Sequence, residues 1–222
     1  MITSTDRCII FKGSWFKQRH PHFQQQLLAA AKVIKLNAGE ALFLRGDKNT
    51  GLYCVLTGIM RVSGVNHSGK EAVLSFIDAS FWFGEVALFD GGKRTHDVYA
   101  QTAVRLVQVN ERSLTALLTE TPQYWHDFGL LLTQKIRLLF GSLEDHALLT
   151  ARQKVCKRLL MLAGDVSAPI DLALSQQQLA DMTYLTRQTI NQILQRLQAE
   201  QVISLHYQKV VVMNKEKLNA GQ

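Results

Sequence analysis

The chain has 222 residues, 47% of them hydrophobic, and a formal net charge of +7. That length holds one large or two modest domains with a real core, and no apolar run approaches the ~18–20 residues of a membrane-spanning helix. The scattered Cys8, Cys54 and Cys156 form no C-x-x-C pair, which excludes a disulfide framework and a cysteine-held cluster and leaves buried or inert thiols as the reading.

The opening MITSTDRCII lacks the basic-then-apolar order of a signal peptide, so a cytoplasmic protein is expected. The charge is uneven. From Ala151 onward nine Lys and Arg stand against five Asp and Glu, so +4 of the +7 lies in the last third. A basic excess at one end favours nucleic acid as a partner.

Residues Pro21 to Lys35 carry Phe23, Leu27, Leu28 and Ala31 at helical spacing and predict a covering helix. From Leu36 the period changes. Turn signals recur at Asn37-Ala38-Gly39, Gly46-Asp47, Asn49-Thr50-Gly51, Thr57-Gly58 and His67-Ser68-Gly69. Between them lie the short apolar runs Ala41–Leu44, Leu52–Leu56, Ile59–Val62 and Ala72–Ile77, with Tyr99–Gln101 and Val104–Val109 to follow. Short strands with regular Gly turns predict an antiparallel β-roll or jelly roll. A metal-dependent enzyme on such a roll needs a close His pair with a carboxylate. His67 and His96 stand apart, no Ser/His/Asp or Cys/His spacing asks for catalysis, and no P-loop is present, so the chain is read as a non-enzyme.

The stretch FWFGEVALFDGGKRTHDV, Phe81 to Val98, carries the chemistry of this first part. Strand-type aromatics lead to Gly84-Glu85, Val86 to Phe89 make one helical turn, and Asp90-Gly91-Gly92 reverse the chain. Arg94-Thr95 then re-enter a strand. Free N–H groups at a helix start, a Gly-rich bend and an arginine make an anion site, and the arginine adds charge-assisted bonds to phosphate oxygens. A carboxylate at Glu85 repels an anion unless it accepts from a sugar hydroxyl. A small anion with a ribose attached is a nucleotide.

Asn110–Leu118 reads as a short helix. Thr121-Pro122 predicts an N-cap and a proline at the first helical position, and the helix should run to about Leu149. Trp125, Leu132, Ile136, Leu139 and Leu143 fall at a and d spacing, the stripe of a helix that pairs with a second copy. Trp125 and Phe128 should pack on the roll, leaving Leu132, Ile136, Leu139 and Leu143 as the dimer seam. A basic helix with Arg152, Lys154, Lys157 and Arg158 follows, then a loop from Gly164 to Ile170. Ser175 with Gln178 is a capping box, Leu179 and Ala180 face inward, Tyr184-Leu185 turns the chain, and Thr186 caps a second helix. That helix buries Ile190, Ile193, Leu194 and Leu197 and presents Arg187, Gln188, Asn191 and Gln192. Arg pairs with guanine, and Gln or Asn with adenine, through two bonds each. This is a helix-turn-helix, and Gln201 to Val212 add the two strands of a wing around His206–Lys209.

The run F-G-E-V-A-L-F-x-G-G-K-R-T resembles the phosphate-binding cassette of cyclic-nucleotide-binding domains. That resemblance implies that Glu85 holds the ribose 2′-hydroxyl, that Arg94 meets the cyclic phosphate, and that Thr95 and the Gly84 backbone assist. The effector it implies is cyclic AMP first and cyclic GMP as the alternative. From about Leu36 to Leu218 the chain resembles the cyclic-AMP receptor/Fnr family of bacterial transcription regulators. The implied fold class is α+β. It has a β-roll over residues 1–120, a dimerisation helix over 121–150 and a winged helix-turn-helix over 151–222. The implied partners are a second copy of the chain, a palindromic operator in double-stranded DNA and RNA polymerase. No metal, haem or iron–sulfur cluster is implied, because the grouped N-terminal cysteines of the cluster-bearing relatives are missing.

Ser175, Thr186, Arg187, Gln188, Asn191 and Gln192 are the expected DNA-binding residues. Gln188 stands where many members have Glu, and Gln192 where the cyclic-AMP regulator has a second Arg. Tyr184 replaces a frequent turn glycine, at a cost of ~1–2 kcal/mol for a left-handed backbone. Matched from the Thr-Pro cap, Leu139 and Phe140 take the positions that touch the adenine and offer it no hydrogen bond. Two alternatives stay open: the same regulator with a different or no effector, and a nucleotide-sensing module that does not bind DNA specifically.

Overall fold

The computed structural model describes residues 2–48, 51–69, 71–164 and 167–220. The Asn49-Thr50 turn signal, and residues 165–166 of the expected loop, lie outside the described residues. The chain divides into two compact units, Met1–Leu138 and Leu139–Gln222. Among the described residues no helix is long and apolar enough to cross a membrane.

The first unit opens with three helices, α1 (Ser4–Ile10), α2 (Ser14–Lys17) and α3 (Pro21–Ala29). Thr3 and Asp6 close a capping box on α1. The helix expected to reach Lys35 stops at Ala29, and β1 (Ala31–Leu36) takes over. The β-branched Val33 and Ile34 lie in that strand, which pairs residue for residue with β8 (Val104–Asn110) from Ala31↔Val109 to Leu36↔Val104. Sheet pairing therefore overrides the helical spacing.

Between them come β2 (Ala41–Phe43), β3 (Gly51–Thr57), β4 (Met60–Val65), β5 (Glu71–Ile77), β6 (Trp82–Phe83), α4 (Val86–Asp90) and β7 (Asp97–Ala100). They form two four-stranded sheets, ordered β1-β8-β3-β6 and β2-β7-β4-β5, with antiparallel pairing. Six residues of β3 in succession are buried, because both faces of its sheet are covered. Leu52, Cys54 and Leu56 join the helix-side core with Trp15, Phe16 and Phe23. Tyr53 and Val55 point into the roll with Phe43, Met60 and Leu106. The two-residue period of a strand divides one apolar run between two cores.

Helix α5 (Glu111–Glu120) is capped by the Asn110 side chain, which accepts from Ser113 N at 2.9 Å. Thr121 does not cap the long helix. It ends α5, and α6 begins at Tyr124 after Pro122 and Gln123, running to Leu148. Tight backbone bonds from Tyr124 N to Thr121 O and from Trp125 N to Pro122 O fill the gap. Within the first unit, α6 is pinned by Trp15 Nε1 donating to Asp127 O at 2.7 Å and by the Arg19–Asp127 ion pair at 3.0 Å.

The second unit contains α7 (Ala151–Ala163), β9 (Ile170–Leu172), α8 (Gln176–Thr183), α9 (Arg187–Ala199), β10 (Ile203–His206), β11 (Lys209–Val212) and α10 (Lys215–Ala220). Ile170, expected in the loop, starts β9, and the small sheet is ordered β10-β11-β9. Val155, Leu159, Leu179, Ile190, Leu194 and Leu197 make its core.

Candidate functional site

The cassette hangs from β6, which pairs with β3 through Tyr53↔Phe83 and Cys54↔Trp82. Gly84 follows at φ +104°, and a Cβ there would lie 2.3 Å from Gly51 O. Both the dihedral and the close approach demand glycine. Glu85 comes next and stands at the start of α4, yet its side chain makes no cap bond. Its carboxylate is buried, with 1% of the side chain exposed, and Oε2 accepts from Lys135 Nζ on α6 at 2.6 Å. Oε1 is buried with no hydrogen-bond partner among the described residues. Burial holds the Lys135 ammonium below its usual range, and Glu85 opposes that shift.

Gly91 closes α4 in the left-handed conformation, and Gly92 N donates to Asp90 Oδ1 at 2.7 Å. Arg94 and Thr95 do not re-enter a strand but lie ahead of β7, which starts only at Asp97. The Arg94 backbone is fixed to the turn after β2, with Arg94 N donating to Asp47 O and Gly46 N donating to Arg94 O. The guanidinium points inward. Nη1 donates to Gly84 O at 3.1 Å, Nη2 donates to Gly51 O at 3.2 Å, and Cζ sits 4.1 Å from the Phe43 ring centroid. Nε is buried without a partner among the described residues. Burial lowers the Arg94 pKa, while Tyr53, Glu85 and Asp47 work against that. Thr95 is exposed, with Oγ1 3.0 Å from His96 Nδ1, and its carbonyl accepts from Arg45 Nε at 2.8 Å.

Gly84, Glu85 and Arg94 are thus brought together, with one unpaired buried acceptor and one unpaired buried donor among them. A sugar hydroxyl fits the acceptor. An anionic oxygen fits the donor, since two of the five guanidinium N–H groups are committed to carbonyls. Sequence reasoning missed Lys135. No local signal singles it out, since Thr133, Gln134 and Arg137 flank it on α6.

On α6 the structure buries Phe128 and leaves Trp125 partly exposed against Phe89, at 5.2 Å between ring centroids. Leu132 is half-buried, and Ile136 is exposed. Leu139 and Phe140, 60% and 62% exposed, and Leu143 belong to the second unit's share of the helix.

The helix-turn-helix has the expected caps. Ser175 and Gln178 form a capping box, and Thr186 Oγ1 accepts from Thr189 N at 3.1 Å. Tyr184 takes the left-handed turn, with φ 55° and ψ 34°. Arg187, Gln188, Asn191 and Gln192 are exposed on α9, and Ile190, Leu194 and Leu197 are buried on its other side. Ser175 is half-buried and its hydroxyl serves the cap. The wing tip carries Tyr207, the most exposed of the large apolar side chains described.

Two family models match the chain: a cyclic nucleotide-binding domain over residues 33–121 and a Crp-like helix-turn-helix domain over residues 153–220. The chain is similar to a CRP-like cAMP-activated global transcriptional regulator of Mycobacterium tuberculosis. The two are 24% identical over 95% of this chain and 96% of that protein. Its fold is similar to that of the c-di-GMP responsive global regulator CLP of Xanthomonas campestris, with a TM-score of 0.73 and 20% identity over 88% of this chain and 100% of that one. It is also similar to that of a putative cyclic nucleotide binding protein of Ruegeria pomeroyi, with a TM-score of 0.76 and 17% identity over 99% and 98%. A β-roll carrying the cassette, a long helix and a winged helix-turn-helix occur here in one chain, and both matched domains agree with that order. The chain belongs to the cyclic-AMP receptor/Fnr family of bacterial transcription regulators.

Proposed function

We propose that this chain is a cytoplasmic, homodimeric regulator whose DNA binding is set by a cyclic nucleotide held at the cassette, cyclic AMP first and cyclic GMP second. The observation that carries the reading is the Glu85 carboxylate, buried with one oxygen on Lys135 and the other unpaired. A buried acceptor without a partner costs ~1–3 kcal/mol, and a ribose hydroxyl would satisfy it. Arg94 would meet the phosphate and Thr95 would assist from the rim. Leu139 and Phe140 would face the base with apolar surface alone. Leu132, Ile136, Leu139 and Leu143 would pair with the same residues of a second copy, which the exposure of Ile136, Leu139 and Leu143 supports. The dimer would place two copies of α9 on a palindromic operator, one helical turn of DNA apart, beside RNA polymerase. The division is then roll 1–120, dimer helix 121–150 and DNA-binding unit 151–222.

Calorimetric titration with cyclic AMP and cyclic GMP tests the effector. Saturable heat is expected with both, at affinities within about tenfold of each other, because no polar group at Leu139 or Phe140 separates the bases. Arg94→Leu should weaken either ligand by about tenfold to a hundredfold. No heat from either nucleotide at millimolar concentration refutes the effector reading. A second reading, with a different effector or none, is favoured by the two Arg94 bonds to backbone carbonyls, which already engage the guanidinium. It predicts operator binding that cyclic AMP leaves unchanged.

A further inference from the structure

The face of α9 opposite its buried side carries Gln188, Asn191, Gln192 and Gln195 in succession, with Arg187 at the helix start. The four amides lie beside Arg196 on this open face. None of the four amides has a hydrogen-bond partner among the described residues, although other amides of this unit are tied down. Gln198 Oε1 accepts from Leu205 N at 3.0 Å, and Gln178 closes the cap of α8. The two threonines of the cap are also engaged, with Thr186 Oγ1 and Thr189 Oγ1 2.8 Å apart. Arg196 sits in the last turn of the helix, within the field of the Glu200 carboxylate, so the groups left for base edges are the Arg187 guanidinium and four carboxamides. From Arg187 to Ala199 there is no carboxylate.

A carboxamide matches the paired acceptor and donor of adenine, N7 and N6, and a guanidinium matches the two acceptors of guanine. The cytosine amino group is selected by a Glu or Asp acceptor, and this helix offers neither. Gln188 and Gln195 are separated by ~10 Å along the helix, at 1.5 Å per residue. That spans about three base-pair steps at ~3.4 Å each.

We infer that this regulator reads an operator half-site made of at least three consecutive A·T pairs beside a single G·C pair. Arg187 takes the guanine, and Gln188, Asn191 and Gln192 take adenines. Gln195, which sequence reasoning did not select, extends the strip at its far end. The inference rests on the DNA-binding reading and deepens it by naming the base composition of the target.

The test is selection of random duplexes by the full chain, with and without millimolar cyclic AMP, followed by sequencing and measurement of affinity for the enriched sites. A half-site with one G·C pair and three or more adjoining A·T pairs is expected. Enrichment of a half-site with two or more G·C pairs in its contacted core overturns this inference and leaves the regulator reading standing. Recovery of no sequence over random DNA in either condition overturns both. Gln192→Glu adds the missing acceptor on an exposed position. It should move one A·T position to C·G by about tenfold in relative affinity, leaving the other positions unchanged. Binding to the re-selected site shows that the variant is folded, and an unaltered consensus overturns the assignment of that amide to a base.

Discussion

Replacing Lys135 by Met leaves the Glu85 carboxylate without its cation, and the size of the penalty follows from its surroundings. Removing one partner of a buried pair costs ~3–5 kcal/mol. Lys135 is 23% exposed, whereas Glu85 is 1% exposed, so water reaches one side of the pair only. The expected loss is therefore ~3 kcal/mol, the lower end of that range. Glu85→Gln in the Lys135→Met background removes the stranded charge and should restore most of the loss. Urea denaturation of the four proteins in this cycle reads the coupling. Trp15, Trp82 and Trp125 all lie in the first unit, so tryptophan fluorescence reports the unit that holds the pair. A loss under ~0.5 kcal/mol, the range of an ordinary surface substitution, would refute the reasoning. So would a loss that Glu85→Gln does not relieve.

Gly84→Ala forces a side chain to φ +104° with its Cβ 2.3 Å from Gly51 O. It should cost ~3 kcal/mol or more, seen as a lower urea midpoint, and an unchanged midpoint would show that the cassette can step away from β3. Ile136→Asp puts a carboxylate into the proposed seam at a cost of several kcal/mol; sedimentation should give monomers that bind a palindrome no better than a half-site, and an intact dimer would move the interface elsewhere. Burial and the neighbouring Arg45 hold the His96 imidazole below its ordinary range, with Asp97 opposing them. As pH falls below ~6.5 the unfolded chain protonates this histidine first, so stability is lost from there down to the lower folded pKa. His96→Gln should flatten that part of the profile in urea midpoints taken at about pH 7.5 and about pH 5, and an identical slope in both proteins would exclude the histidine.

What the sequence reveals and conceals divides along sequence distance. The roll strands are legible because glycine turns interrupt apolar runs, and the second unit because its caps, Ser175 with Gln178 and Thr186, are local signals. The end of α3 is not, because Leu27, Leu28 and Ala31 keep a helical spacing that only pairing with distant β8 overrules. Thr121-Pro122 has the letters of a helix start, yet Thr121 N bonds back to Leu117 O and finishes α5 instead. Helix α1 carries a capping box at Thr3 and Asp6, so its start was readable; the four residues of α2 offer no such mark. In the cassette, Glu85 and Arg94 are named by motif, but their partners are not. Lys135 lies 50 residues from Glu85 and Gly51 lies 43 from Arg94. A lysine on a helix ordinarily carries its charge out to water, and no local pattern says that this one turns to a carboxylate.

That remote lysine sets the terms on which an effector at the cassette could act. A hydroxyl donated to Glu85 Oε1 adds to the Lys135 bond at Oε2 without displacing it. On the proposed function, ribose binding then strengthens the hold of the carboxylate and leaves α6 attached to the cassette. A ligand that took Oε2 as well would release Lys135, one helical turn before Leu139 in the proposed seam. The two modes have opposite consequences for α6, and only a difference in ligand affinity between two states of the helix transmits either one. Lys135→Met separates them. If the pair is kept on binding, the variant should bind nucleotide more weakly, because the carboxylate is no longer held in place. If the pair is broken on binding, the variant should bind more tightly, because the ligand no longer has to displace an ammonium.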